Sequence, residues 1–198
     1  LSGGTLGDLS DDTVVGGAGT FTVEMASQLI EVDLGQGEDG TLTVEDTGTA
    51  ANDIFNFTNV AAATDVSNGN TIIVTGYETV NIDGSGTGAA TTQTFNAITL
   101  AADAGGTTTL NFTGSNTITT AGAITAQTIS AAGLTGTAVL TMGAASVGAT
   151  SITGSANGDT LRGIGAAAST IAGGAGNDSI AGGNDVDWLT YAELTEAS

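Results

Sequence analysis

Gly173 to Thr190 reads GGAGNDSIA and then GGNDVDWLT, two nine-residue blocks set end to end. Each block opens on two glycines, carries Asp at its sixth place (Asp178, Asp187) and an apolar residue at its eighth (Ile180, Leu189). Glycine permits a tight turn with positive φ, Asp offers a hard anionic oxygen, and the apolar residue points inward from a short strand. Nine residues of this kind make half a coil, with roughly six in a turn and three in a strand running back across the structure. Successive turns then lie on opposite sides, and each turn stacks on the second one after it.

The pattern extends upstream. GSANGDTLR (Gly154 to Arg162) has Asn157 fourth, Asp159 sixth and Leu161 eighth. GIGAAASTIA (Gly163 to Ala172) is one residue longer and carries Ala168 where a carboxylate is expected. Weaker copies lie near the other end: GDLSDDTVV with Asp12, GGAGTFTVE with Phe21 in the Asp place, GEDGTLTVE with Leu42 there, and GTAANDIFN with Asp53. The second and third share G-x-x-G-T-apolar-T-V-E, which reads as two equivalent turn-plus-strand units.

Between these regions the text is short β-prone runs punctuated by Gly, Asn and Ala. TIIVT (71–75) and TVNID (79–83) flank a turn at Gly76, Tyr77 and Glu78, and Val80 and Ile82 alternate with polar neighbours as in a strand with one buried face. Further on, Ile98, Leu110, Ile118, Ile129, Leu140 and Ile152 mark successive runs. Residues 24–32 are too short and poorly capped for a helix. The expectation is an all-β chain: a parallel β-helix or β-roll-like solenoid with calcium turns, leaving room for a small β-sandwich-like portion. Three segments are expected: degenerate turns and strands over 1–60, a Thr/Ala/Gly-rich β region over 61–153, and a calcium roll over 154–198.

Composition narrows the function. One basic residue, Arg162, stands against 21 acidic ones, for a net charge of −20. Such a chain cannot neutralise phosphates, so nucleic acid is excluded as a partner, and an anionic membrane would repel it. On the order of ten Ca²⁺ ions would cancel the charge, and without them self-repulsion favours an expanded chain. With no Cys and no His, disulfides, thiol catalysis, thiolate sites and the commonest general base are all absent. No run of 18 apolar residues exists to span a bilayer. Neither end looks like a natural terminus, so the chain reads as part of a longer polypeptide.

Carboxylates and glycine-freed carbonyls supply the 6–8 oxygens, at ~2.3–2.6 Å, that Ca²⁺ prefers. By the stacking rule Asp159 and Asp178 share a side of the roll, with Asn157 and the carbonyls of Gly174 and Gly176 as further candidates. Asp187 stacks on the turn holding Ala168, and Asp185 is placed to help it. Asp53 and Asp12 are candidates from the degenerate copies. The competing reading is that each Asp only makes an Asx turn. Glu38 and Asp39, with Asp33, Glu45 and Asp46 nearby, read as solvated surface charge, with a further cation site as the alternative; Trp188 reads as an apolar lid or a sugar-stacking group, and Tyr77 and Glu78 as a plain turn. Paired carboxylates can hydrolyse glycosides, but a single Arg and no His argue against an enzyme.

The blocks from Gly173 to Thr190 resemble the RTX (repeat-in-toxin) calcium β-roll of proteins exported by type I secretion. TGYETVNIDGSG (75–86) resembles a segment of RTX-type bacterial surface-layer proteins, of the Caulobacter S-layer kind. The resemblance implies a secreted, extracellular protein at the cell surface that folds on meeting calcium and assembles with copies of itself, with cell-surface polysaccharide as a further partner. It would place Asp159, Asp178 and Asp187 among the ligands. A stalk segment of a large RTX adhesin, or the C-terminal part of an RTX hydrolase or toxin, are the rival readings.

Overall fold

The structure is a computed structural model that describes residues 13–16, 20–25, 41–46, 53–59, 70–84, 92–102, 106–164 and 168–190. Among the described residues every regular element is a β-strand. The first six are β1 (Thr13–Gly16), β2 (Thr20–Met25), β3 (Thr41–Asp46), β4 (Ile54–Asn59), β5 (Asn70–Thr75) and β6 (Thr79–Gly84). Next come β7 (Thr92–Ala101), β8 (Thr109–Gly114), β9 (Thr117–Thr120), β10 (Ile124–Thr125) and β11 (Thr128–Leu134). The last six are β12 (Leu140–Met142), β13 (Ser151–Thr153), β14 (Thr160–Arg162), β15 (Thr170–Ala172), β16 (Ser179–Ala181) and β17 (Trp188–Thr190).

Strand pairing separates these into two sheets. One runs β1-β3-β5-β7-β9-β12-β14-β16, with β10 beside β7, and the other runs β2-β4-β6-β8-β11-β13-β15-β17. Every pair is parallel, including β1 with β3 at one end and β15 with β17 at the other. The chain therefore steps from one sheet to the other and returns one strand further on. This all-β, all-parallel, two-sheet arrangement is compatible with the solenoid expected from the sequence. Each sheet pairs across residues 60 and 153, so the three expected segments share the same two sheets.

Thr, Val, Ile and Asn suit a pleated surface, and alternation sends every second side chain inward. β6 shows it cleanly, with Val80 and Ile82 buried and Thr79, Asn81 and Asp83 half-buried. Parallel sheets are usually covered on both faces. Here, among the described residues, the buried residues of both sheets form one cluster between them. Register keeps the inward residues in columns. Phe55, Val80, Leu110, Ile129, Ile152 and Ile171 follow one another across the second sheet, and Leu189, next in register and expected inside, is 47% exposed on the last strand of the column. Ile98, Leu110, Ile118, Ile129, Leu140 and Ile152, the apolar residues that mark the successive runs, are all fully buried.

Outside, Asn81 Nδ2 donates to Asn56 Oδ1 at 2.7 Å and Asn111 Nδ2 donates to Asn81 Oδ1 at 2.9 Å, tying β4, β6 and β8 together. These bonds also record the coil length, which is 25 residues between Asn56 and Asn81 and 30 between Asn81 and Asn111. It contracts to 19 between Leu140 and Asp159, and to 18, the length of two nine-residue half-coils, between Ser169 and Asp187. GGAGTFTVE and GEDGTLTVE differ from the expectation of equivalent units, because their strands β2 and β3 belong to opposite sheets. Glu24 and Met25 of the weak helical candidate lie in β2, and residues 26–32 fall outside the described residues.

Candidate functional site

Pairing of β14 with β16 stacks the turn Gly154 to Asp159 on the turn Gly173 to Asp178. The stack is close. Gly174 and Gly176 have φ of 95° and 104°, and a Cβ on Gly176 would meet the Asn157 carbonyl carbon at 2.6 Å. A Cβ on Gly174 would run into the Ser155 carbonyl oxygen. Both positions need glycine for conformation and for space.

The three principal aspartates share one geometry. Asp159 is 1% exposed; its Oδ1 accepts the Leu140 N–H at 2.6 Å and its Oδ2 accepts the Ser155 N–H at 2.6 Å. The Ser155 hydroxyl lies at 2.9 Å from the same Oδ2 and donates to this carboxylate. Asp178 Oδ1 accepts the Asp159 N–H at 2.9 Å. Asp187 Oδ1 accepts the Ser169 N–H at 3.0 Å, and its Oδ2 accepts the Gly183 N–H at 2.6 Å. Each carboxylate thus accepts the amide at its own strand position one coil earlier, and Asp159 and Asp187 also accept the amide four residues back. Burial pushes the Asp159 carboxyl above its ordinary 3.8; the amides of Leu140 and Ser155 and the Ser155 hydroxyl oppose this, and the charge of Asp178 adds to it.

The stacking expected for Asp159 and Asp178 is therefore present. For Asp187 the neighbour is Ser169 and not Ala168, because Thr170 pairs with Trp188 and the extra residue of the ten-residue block is absorbed before that point. Asp185 is exposed on the turn. Asn157 faces the preceding turn, where its Nδ2 donates to Ala138 O at 2.9 Å and Gly136 O at 3.2 Å. Asp53 is buried immediately before β4, and Asp12 lies outside the described residues. Asp33, Glu38 and Asp39 also lie outside them. Asp46 differs from the expectation of surface charge: it is buried, while its neighbour Glu45 is exposed.

Sequence reasoning missed that other side chains do the work of the aspartates. Glu78 Oε2 accepts the Asp53 N–H at 2.9 Å, and Gln127 Oε1 accepts the Thr108 N–H at 3.1 Å. Both residues stand directly before a strand, one coil after the amide they bind. That position, read against the β-prone runs, was the available signal.

Oxygen is the only donor type at these turns, which suits Ca²⁺ in kind. An oxygen that accepts one N–H keeps a lone pair for a cation. Asp178 and Asp187 fit that description, whereas Asp159 accepts from two backbone amides and from Ser155 and has the least capacity left. Among the described residues no three acidic side chains gather as a metal cluster. The chain matches no known family model, no curated protein and no solved structure.

Proposed function

We propose that this chain is a structural, calcium-stabilised module of a secreted, self-assembling bacterial surface protein of the S-layer kind. Its fold on this reading is a β-roll-like solenoid with RTX calcium turns, and it is not an enzyme. The observation that carries the reading is the stacked pair of turns. A 19-residue coil sets the Asp178 carboxylate on the Asp159 amide, at the place where the nine-residue blocks put one turn over the second one before it.

Calcium bound at these turns supplies the positive charge that offsets repulsion among 21 acidic residues. Asp178 and Asp187 hold it, with turn carbonyls such as those of Gly174 and Gly176, and Asp159 anchors the turn from inside. Binding free energy then becomes folding free energy. The partner is a second copy of the chain. Far-UV circular dichroism in EGTA, followed by calcium, tests the calcium half of the reading: β signal and melting temperature rise on addition, and unchanged values in chelator refute it. Electron microscopy after calcium addition tests the assembly half, with ordered sheets or tubes expected and isolated rods counting against it.

A further inference from the structure

The turn at 154–159 differs from the turn stacked on it in two side chains. Thr160 pairs with Ser179, so Ser155 stands opposite Gly174 and Asn157 opposite Gly176. On its other side the same turn faces residues 135–139, because Thr141 pairs with Thr160. A serine and an asparagine are thus present in this turn and replaced by glycine one coil later.

Both side chains act as donors. Asn157 Nδ2 spends its two hydrogens on two carbonyls of the preceding coil, Ala138 O at 2.9 Å and Gly136 O at 3.2 Å. The Asn157 N–H donates to Ser155 Oγ at 3.1 Å, and the Ser155 hydroxyl donates in turn to Asp159 Oδ2 at 2.9 Å. Across the same gap the Leu140 N–H donates to Asp159 Oδ1 at 2.6 Å. The interval therefore gathers two carbonyls and a buried carboxylate, the oxygen types a hard cation takes. Each of these oxygens is held by an N–H or O–H of the protein. The amide nitrogen carries its two donors on one atom and bridges the carbonyls from the place an ion would occupy.

The next interval is built the other way. Gly174 and Gly176, with φ of 95° and 104°, have no side chain to donate. A Cβ on Gly176 would meet the Asn157 carbonyl carbon at 2.6 Å, so the glycine backbone lies directly against that of the earlier turn. Asp178 reaches across with Oδ1 on the Asp159 N–H at 2.9 Å.

On the reading of the later blocks as calcium turns, we infer that Asn157, braced by Ser155, stands in for a cation between residues 135–139 and the turn at 154–159. Ion binding then starts one coil later than the glycine–aspartate motif does. Asn157 is a positioning residue and not a ligand. It locks the first turn of the roll to the coil before it at any calcium concentration, and calcium locks the coils beyond.

Calcium bound per chain, counted by equilibrium dialysis, and melting temperature in EGTA and in calcium test this on the parent, Asn157→Ala and Asn157→Asp. Asn157→Ala should lose about 5 °C, equally in EGTA and in calcium, with an unchanged calcium midpoint. A raised midpoint makes Asn157 a ligand and overturns the inference. Asn157→Asp puts a carboxylate against the two carbonyls, so the count should rise by about one ion per chain, and melting in EGTA should fall below that of Asn157→Ala. A count equal to the parent's overturns the inference. Should Asn157→Asp not fold, the variant Ser155→Gly, Asn157→Gly, which copies the glycines of the next turn, is counted in its place with the same two outcomes. A parent that binds no calcium refutes the calcium function proposed above, and the gain or absence of an ion in Asn157→Asp still decides the role of Asn157.

Discussion

Replacing Asp159 by alanine removes the acceptor for the Leu140 and Ser155 amides, both of which bind it at 2.6 Å in the interior. Each buried N–H left without a partner costs about 1–3 kcal/mol, giving about 2–6 kcal/mol for the two. Loss of a buried carboxylate offsets part of this, because burial disfavours its charged form. The expected net loss is about 3–4 kcal/mol. For a domain of this size that lowers the melting temperature by about 10 °C. Asp159→Asn keeps one acceptor and turns an amide group on the other donor, so about 1–3 kcal/mol is expected. Urea unfolding at saturating calcium, followed by circular dichroism, measures both. A loss below about 0.5 kcal/mol in the alanine variant would refute the amide-anchor argument, since surface substitutions typically fall within that range.

Gly174→Ala should destabilise by more than about 2 kcal/mol, from a φ of 95° together with the Ser155 carbonyl in the path of a Cβ, whereas Gly136→Ala, at φ 65° with open space around it, should cost only about 1 kcal/mol. The pair, read by thermal melts, separates turn stacking from backbone preference. Gln127→Leu frees the Thr108 amide and should cost about 1–3 kcal/mol without changing the calcium midpoint, which urea unfolding at fixed calcium and a calcium titration check. With calcium removed, β structure should grow as pH falls from neutral. The raised Asp159 carboxyl contributes stability that is fully present below 3.8 and is lost as pH rises through its folded value, and melts in EGTA at a series of pH values would show the opposite slope if this is wrong.

Much of this was legible in the sequence because alternation and spacing are local signals. Val80 and Ile82 announced an inner face, and the blocks from Gly154 to Thr190 announced both the strands and the stacking of alternate turns. What escaped detection depends on register between coils. Ala168 looked like the neighbour of Asp187 until the extra residue of its block was absorbed ahead of Ser169. Asp46 looked like surface charge because it sits in an acidic stretch, yet the parity of β3 turns it inward and Glu45 outward. Glu78 and Gln127 carry no motif, and their role appears only when the amide one coil earlier is known.

The 19-residue coil makes length a free variable of this architecture. Thr141 and Thr160 occupy the same place in successive coils. Cutting out Thr141 to Asp159 would join Leu140 to Thr160 and leave every remaining strand facing a neighbour of the same kind. Among the described residues each strand pairs with strands of the adjacent coils, so stability becomes a sum over neighbours, and the molecule can be shortened or extended one whole coil at a time. A protein built in this way sets reach by counting turns, the way a ladder sets height by counting rungs.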